Sequence, residues 1–269
     1  MSVRHLIPAA SILFAIASPC AAQQRGPAAH VIRRFPAAEA KQAVAVDARF
    51  VYAIDDAAIG KYEKGTGRRV GGWDNEAGGP VKHLNSGIIF SGQLYAAHSN
   101  YPQTPMVSSI EVFDTERMSH VRSIALPPGL GSATWIDQAD GDWWVAFANY
   151  AGNGGEPGKG PETTTLVRFD HHWRQKASWR FPAEVVSRWD GMSSSGGVWT
   201  PDHRLVTTGH HALELYVLEV PQSGGTLILR AIVPMESEGQ GIALDPADGR
   251  LYSIQRKSRE VLVSQLPPL

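Results

Sequence analysis

Disulfide bonds cannot hold this protein together, because its 269 residues include a single cysteine, Cys20. A domain without cross-links rests on packed apolar surface and backbone hydrogen bonds alone. Charge of one sign is also missing: 25 Lys and Arg stand against 26 Asp and Glu, a formal net charge of −1. With no long basic run either, the chain lacks the electrostatic footprint of a nucleic-acid binder. Beyond its N-terminal segment no apolar run is long enough to span a bilayer. Helical periodicity is absent as well: stretches such as Ala37–Gln42 and Pro182–Arg188 can form at most a turn or two.

The N-terminal segment differs in kind from the rest. Arg4 and His5 precede the run LIPAASILFAIASP, and small residues follow up to Gln23. A basic start, a short apolar centre and a small-residue exit describe a secretory signal peptide, too short to span a membrane. Pro19 before Cys20 is unlike a lipoprotein processing site. The sequence therefore predicts a signal peptide over residues 1–22 and one domain over residues 23–269. It also predicts export to the periplasm or beyond, with no cysteine in the mature chain.

Short β-strand signals fill that domain. Apolar β-formers bounded by Gly, Pro, Asp and Asn recur as GIALD, RLYSI and EVLVSQL near the C-terminus, with the tight turn DPADG between the first two. The pattern repeats upstream with a fourth strand added, starting near Ala43, His83, Ser132 and Ser193. Such spacing suits the four-stranded blades of a propeller. The last repeat lacks its fourth strand, and His30–Pro36 (HVIRRFP) lacks partners while resembling KASWRFP at Lys176–Pro182, a fourth strand of an interior repeat. The expected architecture is an all-β, five-bladed β-propeller closed by pairing the N-terminal strand with the C-terminal three. Six blades is the alternative.

That topology sorts polar residues between two faces. Successive strands of a blade alternate direction, so the start of the first, the end of the second and the second-to-third loop share one face. His83, Asn85, His98, Asn149, Tyr150, Ser194, His210, Glu238, Gln240 and Arg256 all belong there, with Asp55 and Asp56. The other face receives turn residues such as Asp140–Asp142 and Asp202–Arg204. A ring of imidazole, amide, carboxylate and guanidinium groups suits a small polar ligand.

Within this ring, His98, His210, Glu238 and Arg256 are the candidate catalytic groups. A histidine or Glu238 would serve as base, and Arg256 would hold an anionic group. Asn85, Asn149, Tyr150, Ser194 and Gln240 are candidate substrate contacts. His83, His98 and His210 form a candidate ligand set for a divalent metal, Zn, Mn, Fe or Ca. Their spacing follows the blades and forms no metal motif, so channel-lining histidines without metal are the alternative. Ser193–Ser195 precede two glycines, yet GxSxG is absent, which argues against a serine hydrolase. Trp135, Trp143, Trp144 and Trp199 read as interblade core, Trp189 as a stacking surface.

The motifs VKHLNSG, AAHSNYP, TTLVRFD, SSSGG, TGHHALELYVL and EGQGIA resemble those of secreted bacterial β-propeller proteins labelled cycloisomerases. A more distant likeness is to lactonase- and gluconolactonase-type propellers, without a clear match to the calcium-binding Glu/Asn/Asn/Asp set of the latter. The resemblance implies a propeller and an enzyme, and fixes neither substrate nor reaction. Taken with the polar ring, the expected ligand is a sugar acid, lactone or modified carbohydrate, handled by an isomerase, lyase or lactone-opening reaction. The competing class is a non-catalytic ligand or glycan binder, or an interaction scaffold. A repeat lectin would carry similar sites in every blade. Here one equivalent position reads Asp55, His98, Phe147, Gly209 and Gln255, which favours a single site at the axis.

Overall fold

The computed structural model describes residues 27–269; the expected signal peptide lies outside them. Among the described residues, twenty-one strands build five sheets arranged as blades around one axis. The first strand, β1 (His30–Pro36), is set aside until last. Blade one contains β2 (Ala43–Val46), β3 (Phe50–Asp55), β4 (Ala58–Glu63) and β5 (Arg69–Asp74). Blade two contains β6 (His83–Phe90), β7 (Gln93–Ser99), β8 (Ser108–Asp114) and β9 (Ser119–Ala125). Blade three contains β10 (Ser132–Ala139), β11 (Asp142–Ala148), β12 (Thr165–Phe169) and β13 (Gln175–Arg180). Blade four contains β14 (Gly196–Trp199), β15 (Leu205–Thr208), β16 (Glu214–Glu219) and, after the two-residue β17 (Gly225–Thr226), β18 (Ile228–Pro234). β17 leaves its own blade to extend blade three, running parallel to β13.

Blade five holds only β19 (Ala243–Leu244), β20 (Leu251–Gln255) and β21 (Glu260–Gln265) from the C-terminal stretch. Its outer strand is β1, antiparallel to β21 with His30 opposite Gln265 and Pro36 opposite Glu260. Five blades and the expected closure are both present. The one α-helical turn among the described residues, Ala183–Val186, falls where the sequence allowed it, whereas Ala37–Gln42 forms only turns ahead of β2. No helix among the described residues is long and apolar enough to cross a membrane.

Strand alternation explains how the ring coheres. Side chains of a strand point alternately to its two faces, and every blade is covered on both. In β3, Val51 and Ala53 pack toward blade five while Tyr52 and Ile54 pack toward blade two. In β11, Trp143, Val145 and Phe147 join blade two, and Trp144 and Ala146 join blade four. Five apolar clusters thus occupy the five interblade seams, which is how a chain without disulfides acquires its stability. Trp135, Trp143 and Trp144 are buried as expected. Trp189 is also core, 1% exposed, and is not a stacking surface.

The glycines of SSSGG and EGQG answer to crowding at the axis. A Cβ on Gly197 would lie 2.6 Å from the Trp135 indole, and one on Gly241 would lie 2.3 Å from Ala43 Cβ. Gly197→Ala is therefore expected to destabilise by about 1–3 kcal/mol through overpacking. Chemical denaturation of the variant would show this as a lowered midpoint with an unchanged slope.

Candidate functional site

The inner strands β2, β6, β10, β14 and β19 adjoin one another around the axis. On the face singled out by the sequence, their starting ends frame a cavity of about 510 Å³. Six of the sequence candidates line it: His83, Asn85, Tyr150, His210, Gln240 and Arg256. The remaining walls come from residues outside that candidate set, chiefly Lys41, Asp56, Lys82, Tyr101, Thr134 and Ser195.

One side is organised by Asp56, which follows the end of β3. Its carboxylate is ion-paired to Lys41, accepts from Gln42 Nε2 at 2.5 Å and lies 2.9 Å from His83 Nδ1. Burial alone would raise this carboxyl. Hydrogen bonds from His83 and Lys41 outweigh burial and hold it well below the usual carboxylate range. Burial likewise works against the Lys41 charge, and the bonds to Asp56 and Asp55 overcome it, so the amine's pKa is raised. Lys82 and Arg256 have no ion-pair partner among the described residues. With Lys41 balancing Asp56, they leave the mouth electropositive.

Across the cavity, His210 follows β15. Its Nε2 lies 3.2 Å from Arg256 Nη1, its Nδ1 approaches His211, and Gln240 Nε2 donates to its carbonyl oxygen at 3.2 Å. Burial first, then the charges of His211 and Arg256, push the His210 imidazole down to about 4. It is neutral at physiological pH, with Arg256 held against its lone pair. A histidine that falls from 6.5 to about 4 on folding binds fewer protons folded than unfolded between those values. Its contribution to stability is therefore full above about pH 6.5 and is lost as the pH drops toward 4. His210→Gln is expected to flatten the acid side of the stability profile, read as urea midpoints from pH 7 to 4. Asp137, whose carboxyl is pushed up to about 7 by burial, has the opposite sign and destabilises as pH rises from 3.8 toward 7. The difference between wild type and variant isolates the histidine.

Aromatic walls complete the site. Residues 100–107, between β7 and β8, carry Tyr101, whose ring lies 5.0 Å from the His83 ring and 5.1 Å from the Tyr150 ring. Tyr150 opens the neighbouring long loop, and burial pushes its phenol well up. Glu156 of that loop accepts from Met106 N at 2.6 Å and joins the two insertions. Asn100 caps the first loop, accepting from Val107 N at 2.8 Å.

Four sequence candidates do not face the ligand space. His98 lies in the wall behind Lys82, accepting its backbone N–H at Nε2 (2.9 Å) and meeting Ser109 Oγ at Nδ1 (2.8 Å). Since a backbone amide only donates, Nε2 is unprotonated and the ring is neutral; burial drives its pKa down in agreement. Ser109 in turn donates to the buried Glu111, so His98 positions the Lys82–His83 segment. Asn149 spends its amide on the carbonyls of Leu130 and Thr163, both at 3.3 Å. Ser194 accepts the Trp135 indole N–H at 2.9 Å and is fully buried; its neighbour Ser195 lines the cavity instead. Glu238 lies outside the lining, and among the described residues no ion pair joins it to Arg256.

The donor set does not suit a divalent metal. Among the described residues no three His, Cys, Asp or Glu side chains converge. Both nitrogens of His98 are engaged, His83 Nδ1 faces Asp56, and a guanidinium stands against His210. Three neighbouring cations oppose a fourth. Two groups do await partners: Thr134 Oγ1, in the lining, and Ser86 Oγ are buried without a hydrogen bond, a demand that a ligand hydroxyl or a water meets.

No protein-family model matches the chain, and no curated protein sequence matches it. Solved structures do. Myxococcus xanthus glutaminyl cyclase superposes with a TM-score of 0.62 at 10% identity, covering 91% of this chain and 100% of that one. Luciferin-regenerating enzyme gives 0.52 at 11% identity, covering 91% and 96%. Kuenenia stuttgartiensis hydrazine synthase gives 0.51 at 14% identity, covering 83% of each. The protein is a β-propeller. At these identities the likeness extends to the fold and no further.

Proposed function

We propose that the protein is exported and binds a small anionic carbohydrate derivative, a sugar acid or its lactone, at the electropositive mouth. The observation that carries this reading is the meeting of Arg256 and Lys82, both without carboxylate partners, with neutral His210 in one cavity. A guanidinium has five N–H donors, so Arg256 can turn two of them to a carboxylate and release the His210 Nε2 lone pair. Asn85, Gln240 and the unpartnered Thr134 hydroxyl supply hydrogen bonds to a polyhydroxylated body, and Tyr101 and Tyr150 a face for its ring.

The chemistry this site supports is proton transfer, as a lyase or isomerase or in opening a lactone. The His210 Nε2 lone pair would take the proton, and Lys82 and Arg256 would stabilise the oxyanion that develops. An anion bound beside His210 raises its basicity by opposing the charges that now depress it. The resemblance to proteins labelled cycloisomerases supports this reading. A second reading, binding without catalysis, is favoured by the low pKa of His210, well below the value a base needs near pH 7.

One experiment separates the two. Glucuronate, gluconate and their lactones are titrated into the full-length protein by calorimetry, then incubated with it and followed by proton NMR in D₂O. Turnover, or exchange of the carbon-bound proton beside the carboxylate, establishes the enzyme. Binding without either establishes the binder, and no binding of any of them sinks the proposal. Immunoblots of periplasm and culture medium, with N-terminal sequencing, test export.

A further inference from the structure

The far end of the same channel holds a second cavity, of about 350 Å³, unused by the chemistry above. Its walls are apolar, contributed by successive blades: Ile88, Ile136, Val198 and Leu244, with the Trp199 indole at one side. No Lys or Arg is among its lining residues. Three aspartates are, and they differ in environment. Asp140 is exposed at the rim, 3.7 Å from His203, and Asp245 is neutralised by Lys64 at 2.7 Å. Asp137 is 7% exposed and has no cationic partner among the described residues. Its Oδ1 accepts from Gln138 N at 2.8 Å and its Oδ2 from Trp199 N at 2.6 Å.

A carboxylate presents about four acceptor positions, so about two remain on Asp137. Burial without a counter-charge is costly and pushes this carboxyl up to about 7. A ligand that brings a positive charge relieves that cost, whereas a neutral one leaves it and an anionic one deepens it. We propose that this cavity is a second ligand site, selective for a small organic ammonium ion carried on an apolar body. The ammonium group donates to the free acceptor positions of Asp137, and the body packs on the aliphatic side chains and on Trp199. The two mouths of the channel then have opposite electrostatic preferences, the first set by Lys82 and Arg256, the second by Asp137.

The test is calorimetric titration of the full-length protein with 2-phenylethylammonium, 2-phenylethanol and phenylacetate, three probes of one shape and different charge. The expected result is that the ammonium binds at least tenfold more tightly than the alcohol, and phenylacetate not at all. Asp137→Asn should bring the ammonium down to the affinity of the alcohol. Ile88→Trp, which fills the cavity and leaves Asp137 in place, should abolish binding of both, and it decides the matter if Asp137→Asn does not fold. Equal affinity for ammonium and alcohol, or full ammonium binding in Ile88→Trp, overturns the proposal.

Discussion

Arg256→Ala is expected to weaken glucuronate binding by roughly 30- to 4,000-fold while leaving the fold intact. The side chain projects from the turn after β20, half-buried, and its guanidinium meets His210 Nε2 at 3.2 Å. Nothing in a blade seam depends on it. Truncating one partner of a desolvated, hydrogen-bonded charge pair costs about 2–5 kcal/mol, and each 1.4 kcal/mol is a factor of ten. Lys82 remains, but a single ammonium cannot reproduce the two parallel bonds of a guanidinium. The variant has a second readout. Because the Arg256 charge helps depress the His210 imidazole, its removal should raise the His210 pKa, measurable by NMR titration of the ring protons. A loss of affinity with an unmoved His210 would mean that the arginine acts elsewhere. Unaltered affinity would remove it from the site.

Phe35→Ala should destabilise the whole ring by about 3–5 kcal/mol, a large part of the 5–15 kcal/mol typical of a folded protein. Phe35 is the one residue of β1 that is fully buried, and its ring lies 6.1 Å from the Tyr62 ring of blade one. Other bonds bridge the same gap: Arg33 Nη1 donates to Lys64 O at 2.6 Å, and Arg259 Nη1 to Asp55 Oδ2 at 2.8 Å. β1 therefore completes blade five and ties it to blade one, and with no disulfide to hold the ends a cavity here weakens the closure itself. Ile32→Ala, at the register shift earlier in the same strand and at a side chain 45% exposed, should change stability by no more than about 0.5 kcal/mol. Equal effects of the two substitutions, in urea unfolding monitored by tryptophan fluorescence, would disprove the account of closure.

Much of this architecture is written locally. The alternation VYAID in β3 or WWVAF in β11 sets which side chains reach which seam, because a strand's period is two whatever surrounds it. Turn residues such as DPADG and the Ser91–Gly92 pair mark where strands end, and equal numbers of strands per repeat sort loops between the two faces. The likeness of HVIRRFP to KASWRFP was enough to place β1 beside β21.

Which polar side chains line the cavity was not written locally. His83 and His98 carry the same face assignment, yet His98 is consumed by Lys82 N and Ser109 while His83 stays in the lining. Ser194 and Ser195 are adjacent and point to different places, one beneath the Trp135 indole and the other into the cavity. A register shift between Leu84 and Gly87 breaks the simple alternation just where Asn85 enters. Lys41 and Tyr101 come from segments outside the strands, where no periodicity applies, and only packing brings them to the mouth. The chain's pattern alone pointed to five blades, with six as the alternative, and to their closure, and it sorted the candidate polar residues to one face. Tertiary structure decided which groups on that face remain free, because a hydrogen bond taken up by a residue distant in sequence leaves no trace in the local pattern.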